Sequence, residues 1–135
     1  MPAGALAAET RESVCAKYKD VFALRNRLDE GAVPALIALF EGTPSVLLRH
    51  EIAYALGQMQ RGDAVPFLSR LLTDAAEHPI TRHEAAEALG AIGSPDAMAV
   101  LREFSDHPEE ILRESCWVAL HMYDREAFLA SGVCV

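Results

Sequence analysis

Two histidines, each followed directly by a glutamate, stand 33 residues apart: His50-Glu51 and His83-Glu84. Imidazole nitrogen and carboxylate oxygen are ligands for first-row metal ions. Two histidines with a carboxylate, leaving coordination positions open, suit non-haem Fe(II) and reactions of O₂. A single His-Glu pair on a helix is ordinarily a solvated or capping pair and carries little weight. Here the pairs recur inside matching stretches, Leu47 to Gln60 (LLRHEIAYALGQMQ) and Ile80 to Gly93 (ITRHEAAEALGAIG). Both contain Arg-His-Glu and then Ala-Leu-Gly. The candidate metal ligands are therefore His50 and His83 as nitrogen donors, with Glu51 and Glu84 available as oxygen donors.

Self-similarity at this period marks stacked structural repeats. Leu24, Leu56, Leu89 and Leu120 mark four equivalent points, separated by 32, 33 and 31 residues. Apolar spacing predicts a helix from Glu9 or Thr10 to about Leu28, then Ala32 to Phe40 with Pro34 in its first turn, and Ser45 to Gln60. Asp63 is the expected N-cap of a helix from Ala64 to Thr73. Further helices are predicted over Ile80 to Ile92, Asp96 to Phe104 and Glu109 to Tyr123. The fold class expected is all-α, a HEAT-like solenoid of helical hairpins with about four repeats. Adjacent helix axes in such a stack lie roughly 8–10 Å apart. His50 and His83, at equivalent points near helix starts, could then reach toward one ion, with metal–nitrogen bonds of about 2 Å. The edge copies lack the pair: Tyr18-Lys19 stand in the first, Glu114-Ser115 in the last. Ala85, Ala86 and Ala88, and the glycines after Ala-Leu in the two middle copies (Gly57 and Gly90), permit close helix approach.

Of the 135 residues 51% are hydrophobic and only 7% aromatic, without alternating Val, Ile and Thr runs, which favours helix over sheet. The net charge of −8 opposes a nucleic-acid or anionic-membrane surface and suits a cationic partner. Three scattered cysteines (Cys15, Cys116, Cys134) form no C-x-x-C, so neither a disulfide framework nor a zinc knuckle is indicated. With no basic-then-apolar leader and no membrane-length apolar run, the expected location is cytoplasmic. Domain boundaries are read as a disordered lead-in over 1–8, a repeat domain over 9–123 and an unassigned tail over 124–135. His78 and His107, each before a proline, and His121 read as structural. Cys116, Trp117 and Met59 read as packing or rim residues.

The paired stretches, with the flanking KYKDVFALRNRL and the closing RESCWVALHMYD, resemble deoxyhypusine hydroxylase from about Lys17 to Asp124. The resemblance implies an all-helical HEAT protein with a di-iron centre held by four His-Glu motifs in two halves. Its implied activity is an O₂-dependent monooxygenase that hydroxylates the deoxyhypusine side chain of a eukaryotic translation factor to hypusine. Carried onto this chain, His50, Glu51, His83 and Glu84 are the iron-site residues. Glu84 is a direct ligand, and Glu51 either a ligand or a group that holds the substrate amine. Only one half is present, closest in its flanks to the second. Its implied partners are the deoxyhypusine-bearing protein and a second half, supplied by a homodimer or by another chain. The alternative is a non-catalytic HEAT scaffold that binds a protein.

Overall fold

The computed structural model describes residues 4–123. Among the described residues seven α-helices follow one another: α1 (Arg11–Arg25), α2 (Ala32–Glu41), α3 (Val46–Met59), α4 (Val65–Thr73), α5 (Pro79–Ile92), α6 (Pro95–Glu103) and α7 (Glu110–Tyr123). No strand occurs among the described residues. The expected all-α repeat fold is what the chain adopts. The lead-in expected over 1–8 is only partly within the described residues, and the tail over 124–135 lies outside them.

The longer helices α1, α3, α5 and α7 pack side by side in chain order, and the shorter α2, α4 and α6 lie against them. Each helix alone would leave an apolar face wet; stacking buries Leu48, Ile52 and Leu56 of α3, Leu89 of α5 and Leu112 of α7 at 1% exposure or less. At the repeated glycines the helices come close. A Cβ on Gly57 would lie 2.7 Å from the Ala88 Cα, and one on Gly90 would lie 2.5 Å from the Tyr123 ring. The small residues are thus what brings α3 onto α5 and α5 onto α7.

Local chemistry sets the helix starts. Ser45 and Ser94 accept from the backbone N–H three residues on, at 3.2 Å each, and Thr10 forms a reciprocal capping box with Ser13. Two expectations are corrected. Leu28 is 98% exposed and outside α1, which stops at Arg25 with Asn26 as its cap; Arg27 then folds onto Asp29 (Nε to Oδ1, 2.7 Å) and turns the chain. Asp63 is not an N-cap. It lies in a 3-10 turn, Gly62–Ala64, where its carboxylate accepts from Arg61 at 2.9 and 3.2 Å, so α4 starts without a side-chain cap.

Candidate functional site

The Arg-His-Glu triplets open the second turn of α3 and α5, and their arginines do structural work. Arg49 donates through Nε to the Thr43 carbonyl (2.7 Å) and through Nη1 to Glu77 (3.0 Å). Arg82 repeats this one step on, to the Leu72 carbonyl (3.0 Å) and Glu109 (2.9 Å). Arg49 therefore ties its helix to the loop before it and Arg82 to the last turn of α4, and each also reaches the loop leading into the next long helix. The bidentate reach of a guanidinium makes this staple possible. It fixes the rotation of each helix start, and with it the direction of the neighbouring histidine.

The histidines do not pair chiefly with the glutamates that follow them in sequence. His50 Nε2 lies 3.0 Å from Oε2 of Glu84, which belongs to the next repeat, while its Nδ1 lies 3.8 Å from Glu51. His83 Nδ1 lies 3.1 Å from Oγ of Ser115, again in the next repeat, and its Nε2 is 3.7 Å from Glu87, one turn on in α5. Ser115 occupies the place of Glu84 one copy later. The rule is that a histidine meets the third residue of the following triplet. Both imidazoles are about a third exposed, whereas the Glu84 side chain is only 8% exposed.

Burial pushes the Glu84 carboxyl above its ordinary range; His50 pulls it down, nearby Glu87 pushes it up, and His83 pulls it down again. Burial and the second acid thus disfavour the charged carboxylate, and a cation placed beside it would favour that form. Imidazole and carboxylate are also the donor types that hold iron, so the residues fit such an ion as part of a ligand set. Among the described residues, no three His, Cys, Asp or Glu side chains are grouped so as to hold an ion.

Beside Glu84 a cleft of about 230 Å³ runs between α3 and α5, lined by Tyr54, Gln58, Glu84, Glu87 and Tyr123 among others. Burial raises the Tyr123 phenol, and Glu87 and Glu84 raise it further, as a negative field would. Ser115 and Glu87 are the residues that motif reading missed. Repeat alignment carried the signal for Ser115, and the four-residue helical step from His83 carried it for Glu87.

Two of the remaining histidines act locally. Nδ1 of His78 accepts from the Ile80 N–H at 3.2 Å and caps α5, and Nδ1 of His107 accepts from the Glu109 N–H at 3.1 Å in the turn before α7. Cys116 is fully buried and its thiol is pushed up to about 11 by that burial, which keeps it protonated and packed. Trp117 sits at the rim and donates to the Ser105 carbonyl at 2.7 Å.

The profile of the HEAT-repeat family matches residues 21–121. The chain is 47% identical to deoxyhypusine hydroxylase-B of Oryza sativa subsp. japonica, over 86% of its own length and 38% of the relative's. Against the deoxyhypusine hydroxylase of Mus musculus the figures are 50%, 82% and 36%. Among solved structures, human deoxyhypusine hydroxylase in complex with glycerol superposes with a TM-score of 0.74 at 42% identity, covering 91% of this chain and 45% of that one. The chain thus spans well under half the length of the curated relatives it matches. It belongs to the HEAT-repeat family, as a homologue of one part of deoxyhypusine hydroxylase.

Proposed function

We propose that this chain supplies half of the metal-binding and substrate-orienting surface of an iron-dependent deoxyhypusine monooxygenase, acting in the cytoplasm on a translation factor. The observation that carries the reading is the His50–Glu84 contact at 3.0 Å, in which donors from adjacent repeats meet within the stretch shared with the hydroxylases. His50, His83 and Glu84 would hold iron, with Glu51 as a further ligand or as the carboxylate that receives the substrate ammonium. The chemistry supplied by paired iron when bound is activation of O₂ and insertion of one oxygen atom into a C–H bond. This chain's contribution is placement and charge. Glu84 and Glu87 make an electronegative edge that attracts and orients a cationic side chain, while the arginine staples keep the histidine-bearing helix starts in fixed rotation.

Two His-Glu motifs make half of the expected set. A two-fold pairing of two copies, or a separate second half, would bring the rest, and closed two-fold dimers are the commonest oligomers. The test is metal content and solution mass of the purified chain with and without ferrous iron, alongside His50→Ala and His83→Ala. Iron uptake with a shift to twice the mass is expected in the parent and lost in both variants. No iron in the parent, even with a second half supplied, would remove the oxygenase reading. Intact protein binding by the iron-free variants would then identify a scaffold.

A further inference from the structure

We propose that Ser115 is a positioning residue for His83: it holds the ring so that the proton sits on Nδ1 and Nε2 presents its lone pair away from α7. The contact stands apart from the iron reading; the choice of tautomer rests on that reading.

Position 115 is the third residue of a degenerate triplet, Arg113-Glu114-Ser115, which has lost the histidine. On motif grounds it is a decayed copy. The structure gives it a use. Its Oγ is 3.1 Å from His83 Nδ1, and the residue is 3% exposed, so water does not compete effectively for the contact. His83 is therefore held from the next repeat, as His50 is held by Glu84, but through the opposite ring nitrogen.

The exchange of carboxylate for hydroxyl has a consequence. A carboxylate in that place would itself be a ligand or would favour the protonated ring; a hydroxyl is uncharged and both accepts and donates. Nε2 is left with Glu87 at 3.7 Å, too far for a hydrogen bond. A metal-bound histidine commonly donates its second N–H to a neighbouring acceptor, which fixes tautomer and orientation. Ser115 Oγ is suitably placed to be that acceptor.

The test begins without metal. Long-range ¹H–¹⁵N spectra of the chain at a pH where histidine is neutral report which ring nitrogen of His83 carries the proton. An unconstrained imidazole favours the Nε2–H form. The parent and Ser115→Thr, which keeps the hydroxyl, are expected to show the Nδ1–H form, and Ser115→Ala to revert. An Nε2–H form in the parent, or an unchanged spectrum in Ser115→Ala, overturns the assignment. A ferrous or cobaltous titration follows. Ser115→Ala should bind about 10–100-fold more weakly, the usual cost of losing such a partner, and equal affinity overturns the role. A parent that takes no metal counts against the iron reading alone, because the metal-free spectra still decide the tautomer.

Discussion

The seam between α3 and α5 and the seam between α5 and α7 are built from nearly the same local sequence and end in different chemistry. At the first, an imidazole meets a buried carboxylate; at the second, an imidazole meets a buried hydroxyl. The difference comes from the receiving helix, because a histidine is completed by the repeat that follows it. The working unit is thus not the printed His-Glu dipeptide. It is a histidine and a residue about one repeat later, joined across a helix interface whose rotation the arginines set.

The largest contrast expected between the seams lies in those arginines. The Arg82 side chain is 3% exposed and Arg49 is 24% exposed, although each meets one carbonyl and one glutamate. Removing Arg82 strands the Leu72 carbonyl in a dry place. Arg82→Ala should cost about 2–3 kcal/mol and Arg49→Ala about 1–2 kcal/mol, because bonds to charged donors are worth more where water cannot replace them. Urea midpoints of the two variants decide it; equal losses would mean that depth plays no part in the staple.

Next come the glycines. At Gly57 an added methyl meets the Ala88 backbone at 2.7 Å, and backbone cannot step aside. At Gly90 it meets chiefly the ring of Tyr123, which is 37% exposed and can swing outward. Overpacking should outweigh the helix gain in Gly57→Ala, for a net loss of about 1–2 kcal/mol. Gly90→Ala should stay within about 1 kcal/mol of the parent, since the gain in helix propensity is of that size. Thermal melts read both; a Gly90→Ala loss as large as that at Gly57 would show that the second seam is just as rigid.

Removing the histidines sharpens the comparison further. His50→Ala leaves the Glu84 carboxylate buried without its partner, whereas His83→Ala leaves a hydroxyl that can turn to a helix carbonyl. In metal-free protein the first should be the more destabilising by about 1 kcal/mol. Denaturation of both variants in a chelator measures the gap, and a reversed order would discount the His50–Glu84 contact.

These contrasts also explain what could be read from the sequence. The 33-residue period, the Ala-Leu-Gly marks and the apolar spacing gave the helices and their order, because each hairpin repeats the same burial problem. The candidate residues were legible too, as residue types. Their partners were not: His50 pairs across a helix seam with Glu84, and nothing local to either residue announces it. Asp63 misled for a related reason. An acid before an apolar run fits a cap, but Arg61, two residues back, takes its carboxylate instead. Leu28 fits the helical spacing, yet the Arg27–Asp29 turn leaves it in water.

The smallest effect tests whether the rule extends to the seam between α1 and α3. There Lys17 stands where Arg49 and Arg82 stand in later copies, and it pairs with Glu9 ahead of the helix, which in turn accepts from Thr43 Oγ1 at 2.9 Å. Glu9 thus links the first repeat to the loop entering α3, as Glu77 and Glu109 do downstream. Its carboxyl is held down from 4.5 to about 2, first by the hydrogen bond from Lys17 and then by that from Ser13. A folded-state value below the unfolded one means the contribution is complete above pH 4.5 and disappears as pH falls toward 2. Glu9→Gln should therefore lower the melting temperature near neutrality and flatten its fall across that acid window. If parent and variant melt in parallel from neutrality into acid, Glu9 is a surface acid with no part in the stack, and the stapling rule begins only at α3.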